Sequence, residues 1–277
     1  RGCRFCLAGY VYRPMRERSL DAILAQAKAG LAHRKKMGLV SAAVSDYSRR
    51  DELIARLREM GAKISVSSLR ADTLSPALLK ALAESGTRTL TLAPEAGSDR
   101  LRRAINKNVT EEQILAAAAM ARGARFPELK LYFMIGLPGE TDEDIAALCA
   151  LSEDAGRAFG GKVTLNLSSF VPKAHTPFAR SPMAPVEAIE ARLAAVRSRL
   201  RSAGISVKSD SAAWARVQGV LARGGAELAE ALADMPAVSL PAWRDALAGR
   251  GLRESAYLDA IPASRPMPWD GVLHSGI

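Results

Sequence analysis

Cysteine is scarce in this chain, three among 277 residues, and histidine is equally rare. Three thiols cannot frame the several disulfides that staple a small secreted domain, so a Cys-x-x-Cys here reads as metal-binding or catalytic. A closed zinc site needs four ligands. Beyond Cys3 and Cys6 the sequence offers Cys149, placed mid-helix between Leu148 and Leu151 as a packing residue. The histidines His33, His175 and His274 are not at ligand spacing. A thioredoxin-type pair would sit at a helix start soon after a strand, whereas a loop follows Cys6. No apolar run is long enough to cross a membrane as a helix, no signal peptide is visible, and no repeat occurs at a solenoid period. With so few thiols, these absences point to a reducing cytoplasm and to no membrane partner.

What is present begins with charge. The formal net charge is +10, from 39 basic residues of which 29 are Arg. Such a surplus suits an acidic partner such as RNA. It also suits a coding bias, because Ala is abundant and the basic residues are spread over the chain. A chain of this length, 48% hydrophobic, can bury a large core, as one α/β domain or as one domain with appendages.

The first residues, Arg1-Gly2-Cys3-Arg4-Phe5-Cys6, carry two thiols that can bind one face of a metal or an iron–sulfur cluster. A cluster needs more than two protein ligands, and the first residue is Arg. The chain therefore reads as a fragment that opens inside its own metal-binding motif.

After that motif, residues 7–18 read as an Arg- and aromatic-rich loop. Ser19 caps a helix expected over 20–37 and stopped by Gly38. Residues 39–44 form an apolar run with a buried-strand pattern, ending in Ser45-Asp46. A helix over 49–60 and a strand over 63–69 follow. The alternation continues with a helix over 75–84, a strand over 88–93 ending in Pro94-Glu95, and helices over 98–105 and 110–123. Thr110 and Gln113 make a capping box. A strand over 128–135 ends at Gly136-Leu137-Pro138-Gly139-Glu140. A helix over 142–157, a strand over 162–170, a loop, a helix over 185–203 and a short strand over 205–208 complete the series. Residues 212–223 and 226–233 look helical, and periodicity fades after Pro236.

Regular β–α alternation argues for a parallel sheet covered by helices. In such folds function gathers at the carboxyl ends of the strands. Those ends are Ser45-Asp46, Ser68 to Arg70, Glu95, Gly136 to Glu140, and Ser168-Ser169. Each is polar or Gly-rich where the preceding run was apolar. Taken singly, Asp46 and Glu95 also suit helix caps, Lys107 suits a solvated position, and Gly136 to Gly139 suits a turn.

Cys3-Arg4-Phe5-Cys6 resembles the last part of the Cys-x-x-x-Cys-x-aromatic-Cys signature of the radical S-adenosylmethionine (radical SAM) superfamily, the first Cys of which would lie two residues before Arg1. The stretch through Leu7-Ala8-Gly9-Tyr10 and Tyr12-Arg13-Pro14 looks like a subgroup with a cobalamin-binding domain ahead of the core. Pro94-Glu95-Ala96-Gly97-Ser98, Ile105-Asn106-Lys107, Gly136-Leu137-Pro138-Gly139-Glu140-Thr141, the stretch from Phe170 to Phe178, and Pro268-Trp269-Asp270-Gly271-Val272 agree with it in order.

The resemblance implies an α/β fold, a partial (β/α)6 TIM-like barrel lacking its first strand, with residues 1–203 as the core and 204–277 as a small, mostly helical extension. It implies a 4Fe–4S cluster on three thiolates, with Cys3 and Cys6 as two of them. S-adenosylmethionine would chelate the open iron and be reductively cleaved to a 5′-deoxyadenosyl radical. Cofactor contacts would come from Phe5, whose backbone would meet the adenine, from Ser45 and Asp46 near the amino group, and from Glu95. Lys107 or Arg70 would face the carboxylate, and Gly136 and Gly139 would let the backbone approach the adenine closely. Relatives often carry Gly-Gly-Glu where this chain has Ser45-Asp46.

An electron donor such as flavodoxin or ferredoxin is implied as partner, with nucleic acid as a second. Three activities follow as expectations. The first is radical SAM chemistry, with cobalamin-dependent methyl transfer as a finer form. The second is methylthiotransferase-like modification of tRNA or protein, which the helical tail disfavours. The third is a non-catalytic barrel that binds a partner or nucleic acid. The 277 residues alone are expected to be inactive and to bind a cluster poorly.

Overall fold

The computed structural model describes residues 2–41 and 43–272. Helices α1 (Ala8–Val11) and α2 (Leu20–Leu31) precede strand β1 (Lys36–Gly38). Then follow α3 (Arg50–Glu59), β2 (Lys63–Ser65), α4 (Pro76–Glu84) and β3 (Thr89–Glu95). Next come α5 (Asp99–Ala104), α6 (Glu111–Gly123), β4 (Glu128–Ile135), α7 (Asp142–Phe159) and β5 (Lys162–Ser169). The chain continues with α8 (Val186–Ser202), β6 (Ser206–Ser209) and the helices α9 (Ala212–Leu221), α10 (Glu227–Ala233), α11 (Leu240–Gly249) and α12 (Ser255–Leu258).

All strand pairs are parallel. β1 pairs with β2, and β3, β4, β5 and β6 follow in chain order. A single parallel bridge, Leu69 to Leu92, connects the two groups. The result is a partial β/α barrel with six strands among the described residues, and the expected α/β class holds. β6 extends the sheet past residue 203 through Asn166 opposite Lys208.

The core explains the strand sequences. Along β4, Leu129, Leu131, Phe133 and Ile135 are buried, while the alternate residues are only partly covered. Successive side chains of a strand point to opposite faces. The buried row packs against Leu78 and Leu82 of α4, Ile114 of α6, Leu148 of α7 and Leu193 of α8 in one apolar core. Cys149 belongs to that core, 2% exposed, as its place between leucines implies. The other face of the sheet is polar and open.

The first β–α unit departs from the sequence reading. The helix ends at Leu31 rather than 37, and none of the described residues among 39–44 is in a strand. Pairing decides the matter. Lys36, Met37 and Gly38 lie opposite Lys63, Ile64 and Ser65, and the Leu39 amide donates to the Ser65 carbonyl. The apolar run therefore overshoots the sheet. Val40 is 95% exposed, and Val44–Asp46 form a 3-10 turn. Ala42, within that run, lies outside the described residues. The stretch read as a loop at 7–18 contains the single-turn α1. The faded periodicity after Pro236 conceals α11, which opens with Ser239 accepting from the Ala242 amide and Pro241 in its first turn. His274 lies outside the described residues.

The last helices form their own core around Met183, Val217, Val220, Trp243, Leu247 and Leu258. Arg223, 2% exposed, ties them to the loop after β5 by donating to the Tyr257, Asp259 and Ser181 carbonyls.

One close approach anchors the upper sheet. A Cβ on Gly97 would stand 2.1 Å from the Leu148 backbone nitrogen of α7 and 2.6 Å from the Asp144 carbonyl oxygen. Backbone cannot give way as a side chain can. Gly97→Ala is expected to cost about 3 kcal/mol or more. A urea midpoint that matched the parent would show that the contact is not tight.

Candidate functional site

The Cys loop is pinned by backbone. The Cys6 amide donates to the Cys3 carbonyl, and the Arg4 amide donates to the Ile105 carbonyl behind α5. The Phe178 amide, from the loop after β5, donates to the Arg4 carbonyl. Phe5 packs against a small apolar cluster of Ala96, Leu101, Ile105, Leu137 and Phe170. That cluster gathers the ends of β3, β4 and β5 under one aromatic ring, so the loop sits over the carboxyl ends of the strands.

Both thiols are free and half-buried. Burial pushes the Cys3 thiol up, while Lys107 and Arg70 pull it down and Cys6 and Glu95 add to the rise. The Asn106 side chain donates to the Gly2 carbonyl and the Arg4 amide to the Ile105 carbonyl, so the Cys loop lies against the segment of Lys107, and with it Glu95 and Arg70. The Lys107 ammonium, 6% exposed as a residue, lies 3.1 Å from the Glu95 carboxylate. Arg70 pairs with Asp72 at 2.9 Å and donates to the Lys107 carbonyl at 3.0 Å. Two cations with two carboxylates, Lys107 buried and Arg70 partly so, leave the loop electrostatically compensated.

Backbone geometry holds this group in place. The β3–β4 register shifts between Leu92 and Glu95. Glu95 has φ 71°, and Asn106 and Asn108, flanking Lys107, have φ 57° and 41°. Left-handed backbone is uncommon outside Gly and clusters where function fixes it. Asn tolerates it best, and Asn106 also donates to the Gly2 carbonyl at 2.7 Å.

Gly136 and Gly139, expected for close approach, adopt φ 84° and 77°. The Gly136 amide donates to the Glu140 carboxylate at 2.7 Å. Ser45 and Asp46 line a cleft of about 470 Å3 with Arg50 and Thr73. Ser45 is buried and receives the Thr73 hydroxyl at 2.7 Å.

The sequence reading passed over Glu140 as a site residue. Its side chain is 2% exposed, 2.7 Å from Arg192 of α8, and it closes the Gly136 turn. Its position at the end of the Gly136 to Glu140 motif was the available signal. It also missed Asp144, which caps α7 with Thr141 and binds Ser98 and Arg100, locking the segment after β3 to the turn after β4.

Among the described residues no group of three or more His, Cys, Asp or Glu could hold a metal ion. Two thiols three positions apart suit two corners of a cluster.

Comparison with known proteins agrees with this geometry. The model of the Radical SAM superfamily matches residues 1–151, over half of the chain. An uncharacterized protein of Methanocaldococcus jannaschii is 38% identical over 238 residues, covering 84% of this chain and 51% of that protein. A tRNA-2-methylthio-N(6)-dimethylallyladenosine synthase of Cereibacter sphaeroides is 29% identical over 209 residues, covering 72% and 47%. Among solved structures, coproporphyrinogen III oxidase of Escherichia coli, a radical SAM enzyme, gives a TM-score of 0.54 at 17% identity, covering 74% of this chain and 50% of that one. SuiB of Streptococcus suis gives 0.51 at 14% identity, covering 76% and 46%. At those identities the likeness is one of fold. The chain spans about half the length of the curated relatives it matches.

Burial pushes the Glu140 carboxyl from 4.5 up to about 7, overcoming the Gly136 amide and Arg192, with Asp144 adding to the rise. The folded state then binds more protons than the unfolded chain between 4.5 and about 7. Stability must fall as pH rises through that window. Glu140→Gln keeps an acceptor for Gly136 and removes the titration. Relative to the variant, the parent should lose up to about 3 kcal/mol between about pH 5 and pH 8 in urea melts. Parallel pH profiles would refute the assignment.

Proposed function

The chain belongs to the Radical SAM superfamily, and from that membership we propose that it is the core of an enzyme that reductively cleaves S-adenosylmethionine. The observation that carries the reading is the joining of Cys3 and Cys6 to Glu95, Lys107 and Arg70 at one mouth. Cys3 and Cys6 would hold two corners of a 4Fe–4S cluster, and the third thiolate of the signature would come from two residues before Arg1. The chemistry such a cluster supplies is one-electron reduction of the sulfonium, giving methionine and a 5′-deoxyadenosyl radical.

The chain's own residues bind and orient. Lys107, with Arg70 beside it, meets the cofactor carboxylate. Glu95, held in a left-handed conformation, accepts from its polar groups. Phe5 and Leu137 cover the apolar side and keep water from the loop. Gly136 and Gly139 set the turn against which the adenine rests. Asp46, which lines the cleft with Thr73, keeps a carboxylate for the cofactor amino group. The exposed Arg4, Arg13, Arg16 and Arg18 around the Cys loop form a basic rim suited to an acidic electron donor, flavodoxin or ferredoxin.

Cobalamin-dependent methyl transfer is the finer form of this proposal, supported by the likeness of the stretch from Gly2 to Pro14 and of the Pro268 to Val272 motif to the cobalamin-carrying subgroup. A second reading is methylthiotransferase-like modification of tRNA. The similarity to tRNA-2-methylthio-N(6)-dimethylallyladenosine synthases and the +10 charge favour it. The helical character of residues 212–258 weighs against the downstream β-barrel such enzymes carry.

Electron paramagnetic resonance on protein expressed from its complete reading frame, reconstituted without oxygen and reduced, tests the proposal. A 4Fe–4S signal that changes on adding S-adenosylmethionine is expected, and Cys3→Ala or Cys6→Ala should abolish it. Lys107→Met should leave the signal and weaken the cofactor response at least about tenfold. A signal indifferent to the cofactor, or none, would leave a barrel that binds a partner without catalysis. The 277 residues alone should load iron poorly, and stoichiometric loading would contradict the third-thiolate assignment.

A further inference from the structure

The inner face of the sheet carries a second set of side chains that the cofactor contacts leave unused. Along β4 the inward row is Glu128, Lys130, Tyr132 and Met134, alternating with the buried apolar row. Parallel register places Lys130 beside Thr164, and Tyr132 beside Asn166, which in turn lies beside Lys208. The facing of β6 is fixed independently. Val207 packs against the helical core and Ser209 bonds Arg197 of α8, so Lys208 points to the inner side.

This face has unmatched charge. Its carboxylates are already engaged. Glu128 accepts from Thr164 at 2.6 Å and pairs with Lys162 at 3.5 Å. Glu95 pairs with Lys107, and Asp210 accepts from the Ser168 hydroxyl at 2.8 Å. Neither Lys130 nor Lys208 has a carboxylate partner among the described residues. Between them the Asn166 side-chain oxygen is buried without any hydrogen-bond donor. A buried acceptor without a donor costs free energy that a ligand can recover. Tyr132 also borders a cleft of about 260 Å3 with Ser67, Ser68, Thr89 and Thr91, so the face opens onto space rather than packed core. Lys130 is partly covered and Lys208 lies exposed on the edge strand; two ammonium groups, an orphaned acceptor and adjoining space are the parts of a binding site.

We propose that the inner face at Lys130, Tyr132, Asn166 and Lys208 is the substrate site, and that the substrate presents a carboxylate or phosphate together with an N–H or O–H donor. The anion meets the two lysines and the donor meets Asn166. Tyr132, beside Asn166 and at the edge of the cleft, supplies an aromatic wall and a hydroxyl. The site lies below the cofactor contacts. Glu95 registers with Phe133, so Lys130 stands about 10 Å further down the strands. The proposal deepens the radical SAM reading and rests on it only for the word substrate. The anion site stands on the sheet itself.

Equilibrium dialysis of the protein, expressed from its complete reading frame, against radiolabelled inorganic phosphate and, separately, succinate tests it at fixed ionic strength. One saturable site per chain is expected for at least one probe. Saturation by phosphate alone assigns a phosphorylated substrate, and saturation by succinate alone assigns a carboxylate. Lys130→Met with Lys208→Met should weaken binding at least about tenfold, while Lys130→Arg with Lys208→Arg retains it and shows that loss is not misfolding. S-adenosylmethionine should leave anion binding intact. Displacement by it would assign the lysines to the cofactor and overturn the proposal. So would absence of saturation with both probes, or binding indifferent to the methionine pair. A normal cluster signal without anion binding defeats only this inference. Anion binding without a cluster signal defeats only the assigned reaction.

Discussion

A parallel strand in this chain must serve two environments at once, and the alternation along β3, β4 and β5 is how it does so. Leu90 and Leu92, then Leu129, Leu131 and Phe133, then Val163, Leu165 and Leu167 form one sheet of apolar side chains beneath the helices. The alternate row is left polar by the same geometry. Burial of the first row fixes the register, and a slip by one residue would exchange the faces. The interior available for chemistry is thus a consequence of how the core is built.

The mouth above that interior depends on backbone at the strand ends. β3 shifts register before Glu95, which turns left-handed and aims a carboxylate at Lys107. Gly97 then lets the chain touch the backbone of α7, and Asp144 ties that helix back through Ser98. The turn after β4 is closed by Glu140, buried against Arg192. Each motif uses one acid to fix a loop where the sheet's own hydrogen bonds stop. The Cys loop rests on all of them through Phe5 and the Arg4 backbone.

Ion pairing divides the charged residues into two kinds. Arg100 with Asp144, Arg102 with Asp99 and Arg192 with Glu140 brace the loops. Lys107 is braced and also placed beside the thiols. Lys130 and Lys208 brace nothing. Lys130 is partly covered and Lys208 exposed, so both stay open to a ligand without breaking a brace.

Much of this was legible in the amino-acid order. The Cys-x-x-Cys loop, the β4 strand at 128–135, the Thr110–Gln113 capping box and the strand-end Glu95 and Gly136 rest on local rules of spacing, alternation and capping, and the structure places them as those rules require. The first β–α unit was not legible. Residues 39–44 look like a buried strand, yet pairing of Lys36 to Gly38 with β2 moved the strand upstream and left Val40 in water. Glu140 and Asp144 look like ordinary helix-start acids until tertiary contacts bury them. The sequence by itself determined the alternation, the caps and the thiol pair, because each is settled within a few residues of chain. Which strand residues pair, which acids lose their water and which lysines are left unmatched was decided only by the tertiary structure, because these depend on groups brought together from distant segments.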